Sequence, residues 1–219
     1  MYLITSDSHF MHDGILKFER ADKFEDIKAH DKCILSLWEK WLTGLSEKDT
    51  FYFLGDLCGK DCESVVIYDM VEKVFAESPA RKVMIRGNHD RKIPANMLYG
   101  VFDDVYDYPI YISDRIVLSH YPCAVYGSQL NVHGHTHGMR LYDKNHICAS
   151  IHVNQYKPVT SKDIASRLGK CDNWNTKFLY EPWAADYQAT QDRLDLVCDA
   201  DKRIDLHASR LYHVLQKTN

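Results

Sequence analysis

Five short polar segments of the chain carry the residue types that bind metal ions and transfer protons. They are Ser-Asp-Ser-His at 6–9, Gly-Asp at 55–56, Gly-Asn-His-Asp at 87–90, Ser-His at 119–120 and His-Gly-His-Thr-His at 133–137. Their side chains offer oxygen and nitrogen donors and no thiolate, a set that suits Mn, Fe, Zn or Ni ions better than a thiophilic metal. Together the five segments contain enough donors for a site that holds two divalent ions.

Each polar segment directly follows a short apolar run that resembles a β-strand. The runs lie at 2–4, 51–54, 83–85, 116–118 and 130–132. Ligands of layered α/β folds bind at the carboxyl ends of the strands, so the sequence predicts that the five segments converge on one site. Glycine at 55, 87 and 134 would let the backbone turn sharply and approach that site closely.

Each segment taken alone has a more ordinary explanation. An Asp-x-His is usually a pair of solvent-exposed polar residues, Gly-Asp is usually a turn, and Asn-His-Asp is often a helix cap. A His-x-His on a strand places both rings on one face but is commonly structural. Five such segments in order, each at a strand end, favour a common metal site over five unrelated features.

The elements between the segments indicate an α/β domain, because apolar runs alternate with helical patterns. A sixth run at 146–153 could be a half-exposed strand. Apolar stripes predict helices over 34–45 and over 65–75, the second with Ser64 as its N-cap. Beyond 157–160 only helical patterns follow, around 161–168 and 184–214. We therefore predict a domain at 1–161 and a helical C-terminal extension at 162–219 that packs on or over it.

The composition is that of an ordinary globular chain, with 219 residues, 45% hydrophobic and 26% charged. The net charge of −4 argues against bulk electrostatic capture of nucleic acid or of an anionic membrane, although a local basic patch stays possible. No charged leader and no apolar run of about 20 residues is present, so we expect a cytoplasmic protein without a membrane partner. Seven scattered cysteines predict reduced thiols rather than a disulfide framework.

The ordered series Asp-x-His, Gly-Asp, Gly-Asn-His-Asp, His and Gly-His-x-His resembles the calcineurin-like metallophosphoesterase superfamily. Its motifs span residues 7–137, and the strand pattern extends the likeness to about residue 160. The opening Thr-Ser-Asp-Ser-His-Phe is similar to a small bacterial and phage branch of phosphoesterases. The resemblance implies a β-sandwich of two sheets flanked by helices.

The resemblance also implies roles for individual residues. One metal would be held by Asp7, His9 and His137, the other by Asn88, His120 and His135, with Asp56 bridging both. His89 would be the general acid for the leaving group, which makes Asp56 and His89 the catalytic residues. His12 is a further candidate site residue without an assigned role, although Met11 stands before it where that branch often has glycine.

The chemistry implied by the resemblance is in-line attack of a metal-bridging hydroxide on a phosphoester. The Asp–Arg pair of the Ser/Thr protein phosphatases is missing after Asp56, and Asp90 stands where those enzymes have Glu. The Asn-His-Asp form is closer to phosphodiesterases and nucleases, which favours a small phosphodiester or nucleotide-type substrate. Nucleic acid is possible but is not indicated by the charge. A non-catalytic, metal-binding interaction scaffold of the same fold is the alternative, and the complete set of donors argues against it.

Four neighbouring residues keep two interpretations each. Asp90 could orient His89 or cap a loop, and Arg86 could meet a phosphate or face solvent. His133 could support a ligand or be a satisfied buried histidine, and Tyr121 could stack on a base or pack on the protein.

Overall fold

A computed structural model describes residues 1–17, 23–59, 65–137 and 144–171. The strands of this part are β1 (Tyr2–Thr5), β2 (Thr50–Phe53), β3 (Arg81–Ile85), β4 (Asp104–Tyr106), β5 (Ile110–Ser113), β6 (Ile116–Ser119), β7 (Leu130–His133), β8 (His146–Cys148) and β9 (Val159–Thr160). They form a five-stranded sheet of order β4-β3-β2-β1-β9 and a four-stranded sheet of order β5-β6-β7-β8. The predicted two-sheet α/β fold is confirmed.

Most strand pairs are parallel, so the carboxyl ends of neighbouring strands lie on the same side of each sheet. In the first sheet β1 to β4 run parallel and only β9 is antiparallel. In the second sheet β6, β7 and β8 run parallel and β5 is antiparallel. The carboxyl ends of β1, β2 and β3 therefore lie side by side, as do those of β6, β7 and β8.

The α-helices of the described residues are α1 (Asp13–Ile15), α2 (Ile27–Thr43), α3 (Glu72–Ala76), α4 (Ala95–Leu98) and α5 (Ser161–Leu168). Helix α2 begins at Asp26, whose side chain accepts the backbone N–H of Ala29 at 2.7 Å, a standard N-cap. Ile34, Trp38 and Leu42 recur at helical spacing and are buried, which fixes one face of α2 on the protein.

Two hydrophobic cores lie on opposite faces of the first sheet. The core under α2 is rich in aromatic rings, with Trp38 packed edge-on against Phe51 and Phe53 at ring separations of 5.3 Å. The core on the other face is mainly aliphatic and is built from β1, β2, β3, β6, β7 and α5. Alternating strand residues such as Phe53 and Leu54 supply the two cores, because successive side chains of a strand point to opposite faces.

Several local predictions differ from the structure. The sixth apolar run forms a strand only over His146–Cys148 and then turns, so its predicted extent was wrong. The helix predicted over 65–75 is π-helical at Val65–Val71 and α-helical only from Glu72, while its predicted cap Ser64 lies outside the described residues. Strands β4, β5 and β9 were not predicted.

The helical pattern at 161–168 is confirmed as α5, which begins with a capping box between Thr160 and Asp163. Ile164 of this helix is buried in the aliphatic core. The pattern at 184–214 lies outside the described residues, and the boundary at 161 stays a prediction. Among the described helices, none is both long and apolar enough to cross a bilayer.

Candidate metal centre

The first sheet positions four of the predicted ligands at its carboxyl edge. Asp7 and His9 follow β1, Asp56 follows β2, and Asn88 follows β3 together with His89. Backbone hydrogen bonds hold these loops in register, from Asp7 N–H to Gly55 O at 2.9 Å and from His9 N–H to Asp56 O at 3.1 Å.

The second sheet positions the other three predicted ligands. His120 follows β6, and His135 and His137 follow β7. The backbone N–H of His135 donates to both carboxylate oxygens of Asp7, at 3.1 and 3.2 Å, and so joins the two sheets at the site. All seven predicted ligands are thereby brought to one place, although their individual roles stay predictions.

One group of donors comprises Asp7, His9, Asp56 and His137. The Nε2 atoms of His9 and His137 lie 3.3 Å apart. His9 Nε2 is 3.7 Å from Asp56 Oδ2, and His137 Nε2 is 3.6 Å from Asp7 Oδ1. The donor atoms of the group fall within 4.8 Å of one another, a spread that one ion can span.

A second group comprises Asp56, His120 and His135 and shares Asp56 with the first. His120 Nε2 lies 3.5 Å from Asp56 Oδ2. The side-chain oxygen of Asn88 is 3.0 Å from both His120 Nε2 and His135 Nδ1. Asn88 thus joins this group as a neutral oxygen donor.

The two groups fit divalent transition-metal ions. Carboxylate oxygens and imidazole nitrogens are the ligands that Mn, Fe, Zn and Ni accept, and no cysteine belongs to either group. Asp7 and Asp56 are 0% and 1% exposed, respectively, and burial of carboxylates is costly without a cation nearby. A bound cation would offset this cost.

Five of the predicted ligands adopt left-handed backbone conformations. They are Asp7 (φ 58°), His9 (φ 49°), Asp56 (φ 59°), His135 (φ 64°) and His137 (φ 45°). Eight non-glycine residues of the described chain have positive φ, so the strained positions are concentrated among the predicted ligands. Such concentration is typical of functional sites, where the surrounding fold holds residues in unfavourable geometry.

Two glycines let the loops meet behind Asp56. A Cβ on Gly87 would lie 2.2 Å from Asp56 Oδ1, and one on Gly55 would lie 2.4 Å from the backbone nitrogen of Gly87. Gly55 also has φ of 92°, which side-chain-bearing residues rarely adopt. The predicted close approach at these glycines is therefore present in the structure.

The charges of the site act on one another strongly because they are buried. Burial, together with the negative charges of Asp90 and Asp7, holds the pKa of Asp56 well above its ordinary value of 3.8. Burial also acts to raise the pKa of Asp7, but His137, His120 and a hydrogen bond from Ser6 outweigh it and lower that pKa. The site is thus short of positive charge around Asp56.

Burial lowers the pKa of His120 from 6.5 to about 4, although Asp7 and the carbonyl of Leu54 partly oppose this. The ring is therefore neutral over the physiological range, which is the form that binds metal. Its Nδ1 faces Leu54 O at 2.7 Å, so Nδ1 carries the proton and Nε2 faces Asn88 and Asp56 with a free lone pair.

Asp90 braces the loops that carry the predicted ligands. Its Oδ2 accepts the backbone N–H groups of Asp56 at 2.6 Å and Gly87 at 2.8 Å, and its Oδ1 accepts that of Leu57 at 2.8 Å. Burial raises the pKa of Asp90 despite these three donors. Of its two interpretations the structure supports the loop cap, and the contact is with the backbone at Asp56 rather than with the ring of His89.

His89 and His12 lie beside the first group. The ring of His89 packs edge-on against His9 with centroids 4.9 Å apart, and its backbone N–H donates to Asp56 Oδ1 at 2.9 Å. His12 Nδ1 is 3.3 Å from His9 Nδ1, and the two rings join His89 in a further cluster of potential donors. The sequence offered His12 only through the family resemblance.

The other neighbouring residues contact protein. Tyr121 packs on His135 with ring centroids 4.3 Å apart, so it borders the second group. The guanidinium of Arg86 donates to the carbonyls of Asp90 and Ile93, each at 2.9 Å, and only 11% of the side chain is exposed, so Arg86 does not face solvent. Its contact with a phosphate stays a prediction. His133 is buried, with Nδ1 2.8 Å from Gly134 O.

Comparison with known proteins identifies the family. The sequence pattern of the calcineurin-like phosphoesterase family matches residues 2–197, so the chain belongs to that family. A relative in Methanocaldococcus jannaschii is 30% identical over 178 residues, which cover 77% of this chain and 90% of the relative. The gene 66 protein of Mycobacterium phage L5 is 23% identical over 68% of this chain and 83% of its own length.

A solved structure shares the fold. A protein of unknown function from Aquifex aeolicus superposes with a TM-score of 0.58 and 26% identity, over 76% of this chain and 98% of that one. Because the family consists of metal-dependent enzymes that hydrolyse phosphoester bonds, the protein is a phosphoester hydrolase, and its Asp and His clusters are candidate metal ligands.

Proposed function

We propose that the protein is a dinuclear metal-dependent phosphodiesterase or nucleotide-type phosphatase. Asp7, His9 and His137 hold one ion, and Asp56 bridges it to a second. Asn88, His120 and His135 complete the second site. The proposal rests above all on Asp56, whose carboxylate belongs to both groups of donors and therefore stands between two potential ion positions.

When bound, two divalent ions would supply a water of lowered pKa as nucleophile and positive charge for the phosphoryl oxygens, with Mn²⁺ the first choice and Fe, Zn²⁺ or Ni²⁺ the others. The protein contributes the placement. Asp56 is fixed by the N–H of His89 at one oxygen, while its other oxygen faces His9 and His120. The loops with left-handed residues, together with the backbone hydrogen bonds to Asp90, hold these donors in place before substrate binds.

His89 is the proposed general acid that protonates the leaving oxygen. It lies against His9 at the edge of the first group and is partly exposed, whereas the ligand His120 is fully buried. A ring in that place can meet solvent and substrate together, and proton donation of this kind contributes about 10²–10⁴-fold to the rate.

The preference for diesters or nucleotide-type phosphates follows from two features. The Asp–Arg pair of the protein phosphatases is missing after Asp56. Tyr121 borders the second group and offers an aromatic surface beside it, which a base or aryl group can contact.

The experiment is hydrolysis of bis-p-nitrophenyl phosphate by metal-free protein reconstituted with Mn²⁺. Asp56→Asn and His135→Ala are expected to abolish turnover, because the first replaces the carboxylate shared by both groups with a neutral amide and the second removes a donor of the second group. Asp104→Asn and His146→Ala are the matched controls outside the two groups and are expected to retain turnover. Wild-type turnover in Asp56→Asn or His135→Ala would refute the site assignment.

The acid role of His89 is tested by leaving-group dependence. His89→Gln is expected to bind metal as the wild type does, to slow a dinucleotide with an alkoxide leaving group strongly and to slow the p-nitrophenyl diester little. Equal slowing of both substrates, or the loss of one metal ion, would contradict the role.

A further inference from the structure

The two ring nitrogens of His9 face different partners. Nε2 points into the first group, 3.3 Å from His137 Nε2 and 3.7 Å from Asp56 Oδ2. Nδ1 points away from that group and lies 3.3 Å from Nδ1 of His12. A metal ion bound at Nε2 therefore leaves Nδ1 as the nitrogen that makes the other polar contact of the ring.

A histidine that binds metal through one nitrogen usually donates its other N–H to an acceptor, which fixes the tautomer and the ring orientation. His120 has such an acceptor in the carbonyl of Leu54, 2.7 Å from its Nδ1. We propose that His12 is the acceptor for His9 and hence a positioning residue of the first metal ion, an inference that rests on the proposed dinuclear site. His9 Nδ1–H donates to His12 Nδ1, and His9 Nε2 presents its lone pair to the ion.

The backbone before His12 is held in place by a hydrogen bond to helix α2. Met11 adopts φ of 55°, and its N–H donates to Asp31 Oδ2 at 2.9 Å. Asp31 lies on α2, and its other oxygen is 2.7 Å from Nδ1 of the buried His30. A buried carboxylate of the helix thus fixes the turn between His9 and His12.

The space around His12 is kept clear by two glycines. A Cβ on Gly14 would lie 2.9 Å from His12 Nε2, and one on Gly59 would lie 3.1 Å from His12 Cβ. The ring is therefore seated with little room on these two sides. Such seating matches a residue whose orientation matters more than its reach toward solvent.

The decisive variants are His12→Asn and His12→Leu, which have nearly the same size and shape. Asparagine can place its side-chain oxygen near the position of Nδ1 and accept the proton of His9, whereas leucine cannot. Each metal-free protein is titrated with Mn²⁺, and free Mn²⁺ is followed by electron paramagnetic resonance. Thermal unfolding of the metal-free proteins shows whether each variant folds.

For His12→Leu, one of the two Mn²⁺ binding steps is expected to weaken by about 10–100-fold while the other is unchanged. His12→Asn is expected to recover most of that affinity. Wild-type affinity in His12→Leu would overturn the proposal, and so would an equal loss in both variants. A raised KM with unchanged Mn²⁺ binding would also overturn it, because His12 would then contact substrate.

The titration separates this inference from the proposed function. Wild-type protein that binds fewer than two ions per chain contradicts the dinuclear site itself. Wild-type protein that binds two ions, with both variants matching it, contradicts only the role of His12.

Discussion

The two ends of the parallel strands carry charge in opposite ways. At the amino ends, an exposed cation faces one partly exposed carboxylate, as between the N-terminal ammonium and Asp49 or between Arg81 and Asp104. At the carboxyl ends, Asp7, Asp56 and Asp90 are buried together. The comparison indicates that the carboxyl edge is built to receive cations, because burial of neighbouring carboxylates opposes folding when no cation is bound.

The backbone differs between the two ends in the same sense. Five predicted ligands at the carboxyl edge have left-handed φ, and the loops there touch through glycine. Changes at this edge should therefore alter function sharply, whereas changes at the amino edge should have small effects.

The largest effect is expected from Gly87→Ala. The new Cβ would lie 2.2 Å from Asp56 Oδ1 and 2.6 Å from the Asp56 nitrogen, so the loop that carries Asp56 must move. We expect loss of metal-dependent turnover and a loss of about 3 kcal/mol in the free energy of unfolding, measured by chemical denaturation. Gly44→Ala is the control, since its Cβ would meet no atom closer than 4.0 Å. Retained activity in Gly87→Ala would show that the close packing is not required.

Asp90→Asn is expected to have the next largest effect. Asparagine keeps only one of the two side-chain oxygens that accept from Asp56, Gly87 and Leu57, so at least one of these backbone N–H groups would face the amide NH2, itself a donor. The free energy of unfolding should fall by about 1–3 kcal/mol, with weaker metal binding. Asp103→Asn is the control, because Asp103 accepts one backbone N–H at an exposed position. An equal loss of unfolding free energy in Asp90→Asn and Asp103→Asn would contradict the difference described between the carboxyl and amino ends of the strands.

A pH-dependent effect is expected at His120 in the metal-free protein. Its pKa is about 4 in the folded state, against 6.5 ordinarily, so the unfolded chain takes up the proton first as the pH falls. The contribution of His120 to stability is present above pH 6.5 and is lost as the pH falls toward about 4. The stability difference between wild type and His120→Asn should narrow over that interval, as measured by denaturation at several pH values. A constant difference would contradict the shifted pKa.

The smallest effect is expected at the amino edge. Arg81 Nε donates to Asp104 Oδ2 at 2.8 Å, but 58% of the Arg81 side chain is exposed. Exposed ion pairs contribute little, so Arg81→Ala should lower the free energy of unfolding by less than about 1 kcal/mol and leave turnover unchanged. A loss as large as that of Asp90→Asn would mean that the two edges do not differ as described.

Sequence patterns predicted the elements that carry the site because those elements are local. Each apolar run before a ligand segment forms a strand, and the segments converge as expected of parallel strands. Strands β4 and β5 escaped prediction because neither is buried enough to form an apolar run. Strand β4 is half-buried throughout, and β5 alternates half-buried with exposed positions. Strand β9 has only two residues and pairs with β1, which lies near the other end of the described chain, so no local pattern marks it.

Other features of the site could not be predicted because they depend on non-local contacts. The brace from Asp90 joins residues more than 30 positions apart, and Asp31 reaches back 20 positions to Met11. Local patterns carry no information on which nitrogen of His9 faces His12. The left-handed predicted ligands likewise lie in loops held by contacts between distant segments, such as Asp7 with Gly55 and with His135.

Anomalous diffraction from crystals of the protein grown with Mn²⁺ tests the central claim most directly. We expect two peaks about 3.5–4 Å apart. Asp56 should lie between them, with Asp7, His9 and His137 around one peak and Asn88, His120 and His135 around the other. A single peak, or a pair of peaks without Asp56 between them, would contradict the dinuclear site.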